Sequence, residues 1–421
     1  MSGGQPTADS VRDEIRAWLA DHWRPSLGLV AWRNILIDGG WAAPGWPRAW
    51  FGRDLPAPLV AVAEAEMRRA GAVGPARAGP RTLASATLLA HGDEAQKARF
   101  LRRILTGEDS WCQLFSEPGN GSDLAGAITR ADFRDGRWVI NGQKVWTTSA
   151  HHADWGLLLA RTDWDAPKHQ GLSYFVIDMR QPGVEVRPLR QMNGHASFNE
   201  VFFTDAEVPA DLMVGARGEG WAVANTTLMH ERRGFAGGGG GVGLAEAGVR
   251  EGGIYDEERA ETAIAMEPYK WYPQRAGRVD LVLQRAKQTG AIADPVARQE
   301  IARLLTLSRC ADFTARRARA AQAQGQPPGP EGSIAKLTAS HVARAAARVH
   351  TLIAGTDAML SGADGPEAGI IAEVLISVPA VSIAGGTDEI QRNILAERIL
   401  KMPKDAGQDP SKPFREVAGK A

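Results

Sequence analysis

Apolar positions between Val11 and about Gly107 recur at the spacing of a helix. Val11, Ile15, Trp18 and Leu19 fall on one side of a first helix, and Leu59 to Met67 and Arg81 to Leu89 carry two more. Gly39-Gly-Trp-Ala-Ala-Pro-Gly-Trp-Pro47 interrupts the pattern. Asp93, with Gln96 three residues on, reads as a helix N-cap. The tryptophans of this region are assigned to core or interface. From Trp111 to about Arg217 the period shortens to two. Gly156–Ala160, Leu172–Ile177, Val184–Arg187 and Glu200–Phe203 read as short strands, punctuated by Pro182-Gly183, Asn193-Gly194 and Pro209, which predicts a sandwich or barrel. Helices return from Gly218 to Leu400. Asp294-Pro295 combines an N-cap with a first-turn proline and opens one of them. Ser333 is expected to cap the next, beyond the loop Gly325–Pro330. After Pro403 the chain is polar and is expected to fray.

Composition narrows the class. The chain has 421 residues, with Lys+Arg and Asp+Glu both at 49, so no global charge draws it to nucleic acid or an anionic membrane. Cys112 and Cys310 are the only cysteines, which excludes a disulfide scaffold and fits a reducing compartment. No Cys/His cluster has metal-ligand spacing. No run approaches the ~18 apolar residues of a membrane span, and Met1 to Ser10 lack a secretory pattern. A cytoplasmic protein is expected.

Candidate chemistry concentrates in Gln113-Leu-Phe-Ser-Glu-Pro-Gly-Asn-Gly-Ser-Asp123. Two glycines alternating with small polar residues can turn backbone N–H groups into one concavity, as around a pyrophosphate. Pro-Gly followed by Ser-Asp is equally an ordinary tight turn. Asp135-Gly136 and Asn141-Gly142 are both hairpin signals. They predict a strand Arg137–Ile140 and another over Gln143–Thr148, with Lys144, Trp146 and Thr148 on one face. An indole beside a hydroxyl on a rigid sheet suits a planar redox-active ring, or a half-buried strand packed in the core.

Taken together, Ser116-Glu-Pro118, Gly119-Asn-Gly-Ser-Asp123, Lys144-Val-Trp-Thr-Thr148 and Gly385-Gly-Thr-Asp-Glu-Ile-Gln-Arg-Asn393 resemble the acyl-CoA dehydrogenases. These flavin enzymes oxidise acyl-CoA thioesters at Cα–Cβ. The similarity runs from about Val11 to Leu400. It implies an α+β fold: an N-terminal helical domain (1–110), a small central β-barrel or sandwich domain (111–217), a C-terminal helical-bundle domain (218–404) and a polar tail (405–421). It implies FAD as cofactor, near Gln113, Phe115, Ser116, Gly121, Ser122, Trp146, Thr148, Thr387 and Glu389, with Gln299 meeting the adenine end from a neighbouring subunit. The usual Arg-x-x-Phe before that helix is not recognisable in Gly277–Gln284. The reaction sends the Cα proton to a carboxylate and the Cβ hydride to flavin N5, with the thioester carbonyl polarised by donors. Many members carry the base as the Glu of Glu-Gly-Thr. Here the triplet is Gly385-Gly386-Thr387, so the base is expected where other members carry it, in the Glu-Arg pair Glu231-Arg232. Ser122, Arg232, Gly385 and Gly386 are expected to line the substrate. A five-glycine run at 237–241 lacks the context of a P-loop and, with Gly385, suggests room for branched or ring-bearing acyl chains. The stretch 251–278 has no assigned role. Expected partners are acyl-CoA and an electron-transfer flavoprotein, in a homotetramer or homodimer. The alternatives are an acyl-CoA oxidase, or a non-catalytic subunit of a mixed oligomer.

Overall fold

A computed structural model describes residues 6–76, 79–236, 250–324, 326, 329–403 and 409–418, with only the backbone of 232–236, 322 and 323. The first layer is helical: α1 (Ala8–His22), α2 (Leu29–Asp38), α3 (Ala57–Ala70), α4 (Pro80–His91) and α5 (Glu94–Thr106). Asp93 closes a full capping box at the start of α5: its carboxylate accepts the Gln96 N–H, and the Gln96 side chain accepts the Asp93 N–H. Trp32 and Trp41 are fully buried among Val11, Ile15 and Leu36, so the tryptophans here do form core.

Among the described residues eight strands follow: β1 (Trp111–Leu114), β2 (Arg130–Arg134), β3 (Arg137–Thr148), β4 (Trp155–Arg161), β5 (Leu172–Asp178), β6 (Val184–Leu189), β7 (Phe198–Pro209) and β8 (Met213–Val214). They join in one mixed sheet ordered β6-β7-β3-β2-β4-β5-β8, with β1 running parallel beside β4. β4 and β5 are buried along nearly their whole length. Their continuous apolar runs are those of strands covered on both faces.

The last layer contains α6 (Gly220–Ala236), α7 (Gly253–Met266), α8 (Tyr272–Arg275), α9 (Val279–Gln288), α10 (Pro295–Ala323), α11 (Glu331–Ala354), α12 (Ile370–Ser377) and α13 (Asp388–Ile394). Asp294 caps α10 as expected, accepting the Val296 N–H at 2.7 Å. The largest apolar cluster runs from α4 and α5 through the sheet to Val223 and Ala224 of α6. One core therefore joins the N-terminal helices, the strands and the helix that carries Glu231. No described helix is long and apolar enough to cross a membrane.

Four local expectations change. Asn141-Gly142 is no hairpin: β3 runs unbroken through it, with a register shift at Gly142, whose φ of +150° and close approach to Thr129 exclude a side chain. A second shift between Lys144 and Thr147 puts Trp146 at φ +61°. Lys144 therefore points inward and Trp146 outward, so the two do not share a face. α11 begins at Glu331, and Ser333 lies buried inside it rather than capping it. The tail does not fray over 409–418: a last short helix, α14 (Phe414–Val417), buries Phe414 against the sheet domain. One buried aromatic outweighs the polar composition around it.

Candidate active site

β1 delivers Gln113 and the residues after it to the end of the sheet, beside α6. The Gln113 amide lies 3.4 Å from the Glu231 carboxylate, joining the head of the glycine-rich stretch to the proposed base. Phe115 is buried, edge-on to Tyr174 at 5.9 Å. Tyr174 and Thr87 both share hydrogen bonds with the Thr227 hydroxyl, at 3.0 and 2.8 Å. Thr227 stands one helical turn before Glu231, so buried hydroxyls from α4, β5 and α6 fix the rotation of the helix that presents the carboxylate.

The Ser116 carbonyl accepts the Val145 N–H at 2.9 Å, which sets Ser116 beside Trp146. Glu117 to Asn120 then close a tight turn through reciprocal backbone hydrogen bonds. Glu117 anchors this turn from below. Its carboxylate accepts the N–H groups of Ile128 and Thr129 and the Lys144 ammonium, at 2.7, 2.9 and 2.8 Å. Burial would raise the Glu117 carboxyl, but the Lys144 charge and these donors outweigh it and hold the group below the usual carboxylate range. Burial lowers Lys144, with Glu117 opposing. Gly121, Ser122 and Asp123 are exposed, and a Cβ added at Gly119 or Gly121 would meet nothing within 4 Å. The backbone is thus open to a ligand at the rim.

Trp146 is 56% exposed, although its indole is large and sits on a rigid strand. It meets Phe198 edge-on, and the ring contacts continue through Trp271 and Tyr272 to Tyr269. Thr148 is half-buried and pairs with Phe198 across the sheet. Tyr269 and Tyr272 lie near Glu231. Burial first, and the Glu231 charge among the further causes, raise both phenols, so both stay protonated and able to donate. The Arg275 guanidinium covers Tyr272 at 4.3 Å. Its charge also reaches Lys336, which pairs with Asp388 at 3.2 Å in the first turn of α13.

Thr387 caps α13, accepting the Ile390 N–H. Gly385 and Gly386 both have positive φ, at +69° and +84°. A Cβ on Gly386 would also come within 2.6 Å of the Gln391 amide. The left-handed backbone at both positions is what favours glycine here, since the Gln391 amide is the end of a flexible side chain that can move aside. Glu389 is exposed and pairs with Arg392. Gln299 is exposed near the start of α10, whose main packing partner is α11, and no described contact joins it to the others. The Arg232 side chain and the glycine run 237–241 lie outside the described residues.

The structure thus gathers Gln113, Phe115, Ser116, Trp146, Thr148 and Glu231, sets Gly121 and Ser122 at the rim, and leaves Gln299 apart. Sequence reasoning missed the Glu117–Lys144 pair and the tyrosines. The signal for the tyrosines was Tyr269 and Tyr272 at helical spacing, flanked by Pro268 and Pro273, in a stretch otherwise without a role.

Family models for the N-terminal, middle and C-terminal domains of acyl-CoA dehydrogenase match residues 5–108, 112–206 and 274–400. The chain belongs to the acyl-CoA dehydrogenase family and is an oxidoreductase of that family, whose members are FAD-dependent. It is 34% identical to acyl-CoA dehydrogenase IpdE1 of Mycobacterium tuberculosis, over 94% of this chain and 98% of that one. Acyl-CoA dehydrogenase FadE34 of the same organism is 35% identical, over 94% of this chain but 49% of its own length. Among solved structures, the Tcur3481-Tcur3483 steroid ACAD superposes with a TM-score of 0.65 at 25% identity, covering 96% of this chain and all of that one. The ChsE4-ChsE5 complex from Mycobacterium tuberculosis gives 0.63 at 25%, with the same coverage.

Proposed function

We propose that this chain dehydrogenates a ring-bearing or branched acyl-CoA thioester at Cα–Cβ, with Glu231 as the base that takes the α-proton. The observation that carries the reading is the Glu231 carboxylate 3.4 Å from Gln113, at the mouth of the glycine-rich stretch, in a chain whose other family base position is Gly385. The residues present fit FAD. An exposed indole at Trp146 offers a flat stacking face beside the Thr148 hydroxyl, and the turn at Gly119 to Asp123 is open to a pyrophosphate. FAD, when bound, supplies the acceptor for the β-hydride. Gln113, Phe115, Ser116, Gly121, Ser122, Trp146, Thr148, Thr387 and Glu389 are its proposed contacts in this chain, and Gln299 its contact from a second one. Glu231 receives the α-proton at a carboxylate oxygen. Tyr269 and Tyr272 keep neutral donors and apolar ring faces beside it. Ser122, Arg232, Gly385 and Gly386 are proposed to border the acyl-CoA. The domains are drawn at 1–110, 111–217 and 218–404.

The ring-bearing substrate class rests on the half-buried ring faces of Tyr269 and Tyr272 near Glu231, and on the likeness to the Tcur3481-Tcur3483 steroid ACAD. Electrons are proposed to pass to an electron-transfer flavoprotein; hydrogen peroxide produced in air would instead mark an oxidase. A homo-oligomer is the default, and the likeness to the ChsE4-ChsE5 complex favours a mixed oligomer as the second reading.

Glu231→Gln keeps the shape and the contact with Gln113 but removes the base. FAD content and acyl-CoA binding are expected to persist, while flavin reduction under argon slows by about two or more orders of magnitude. Reduction at the wild-type rate would rule Glu231 out. A panel of CoA thioesters tests the substrate class: a sharp optimum at a short straight chain would contradict it.

A further inference from the structure

Residues 409–418 return to the sheet domain and dock on the β4–β5 connection. Pro413 bridges to Pro167, the Phe414 N–H donates to the Ala166 carbonyl at 3.0 Å, and the Arg415 N–H donates to that of Trp164 at 3.0 Å. The docked element carries one buried side chain, Phe414, 3% exposed. Its ring centroid lies 3.4 Å from the guanidinium carbon of Arg161. Arg161 ends β4 and is fully buried. Burial lowers its guanidinium to about 10, so it remains cationic at neutral pH.

Among the described residues, no carboxylate pairs directly with this cation. Instead it donates to the carbonyls of Ala125, Ala127 and Lys168, at 2.7, 3.0 and 3.1 Å. Lys168 in turn reaches the Asp123 carboxylate at 2.5 Å. The glycine-rich segment is therefore held between two buried cations. Lys144 fixes its start through Glu117, and Arg161 fixes its end through Ala125 and Ala127, while 118–123 spans the gap in the open. Phe414 covers one face of the second anchor. Stacking of an aromatic ring on a desolvated guanidinium keeps water from competing for the donors aimed at the loop.

We propose that Phe414 is a positioning residue for cofactor binding: by covering Arg161 it holds the glycine-rich loop in the shape that receives FAD. The inference rests on the reading of that loop as the flavin site. The test is release of FAD from the holoenzyme on dilution, with amide exchange over 124–129 measured alongside. Phe414→Leu keeps apolar burial and loses the ring; Phe414→Tyr keeps the ring. The Leu variant is expected to bind FAD about tenfold more weakly and to exchange faster at 124–129, and Tyr to match the wild type. Phe414→Ala should follow Leu; if it does not fold, the Leu–Tyr contrast decides. Wild-type FAD affinity in the Leu variant overturns the inference, with or without faster exchange, and leaves the flavin reading standing. A wild-type protein that binds no FAD overturns both.

Discussion

Glu117 shows how much one side chain can set. It lies in a motif that reads as a turn, but its carboxylate gathers two backbone N–H groups and a buried ammonium beneath that turn. Glu117→Gln leaves Lys144 buried without its counter-charge, so a loss of stability on the order of 3–5 kcal/mol is expected at neutral pH. The pH dependence has a definite sign. The folded carboxyl is held below its ordinary 4.5, so its contribution is complete above that value and is lost as pH falls through the depressed folded value. Denaturant midpoints of wild type and Glu117→Gln should therefore differ most near neutrality and converge in acid. A gap that is constant with pH would mean that Glu117 is not the group responsible.

Among the elements, β3 is the most consequential. Its two register shifts let one strand face inward with Lys144 and outward with Trp146 two residues later. Strict alternation forbids that combination. Holding Trp at φ +61° costs on the order of 1 kcal/mol, and burial does not offset it, because the indole stays more than half exposed. This strain and exposure fit the proposed role of Trp146 at the flavin. Trp146→Ala should leave the stability of the flavin-free protein within about 1 kcal/mol of wild type, while FAD is retained less well through lost stacking area. Equal flavin content through repeated dialysis would remove Trp146 from the site.

In the whole molecule, the unassigned stretch 251–278 links distant parts. α7 leaves the C-terminal helices and packs on the N-terminal layer. There Glu261 pairs with Arg33 at 2.6 Å and approaches Arg81, and Glu257 accepts the Leu29 N–H at the start of α2. The chain then descends to Trp271, whose indole donates to Ser197, and on to Tyr272 near Glu231. One segment thus spans the N-terminal helices, the sheet and the proposed base. Arg33 is almost fully buried, so Glu261→Ala is expected to cost about 2 kcal/mol. A urea midpoint indistinguishable from wild type would show that the Glu261–Arg33 pair does not tie α7 to the N-terminal layer.

The local pattern determined the helix–strand–helix order, the caps at Asp93 and Asp294, and the cluster of motifs around residues 113–123 and 144–148. Each of these depends on neighbours within a few positions, where spacing and cap chemistry act directly. Tertiary structure decided the rest. The inward turn of Lys144 needed Glu117 opposite it, and the burial of Ser333 inside α11 needed the neighbouring helices. The fate of the tail turned on Arg161, more than 250 residues earlier in the chain, because a single phenylalanine gains from docking only where a guanidinium face awaits it. Tyr269 and Tyr272 acquired a place beside Glu231 only once α7 had crossed to the N-terminal layer. Contacts between remote residues leave no period in a sequence, since what selects them is the shape and charge of a surface that exists only after the core has closed.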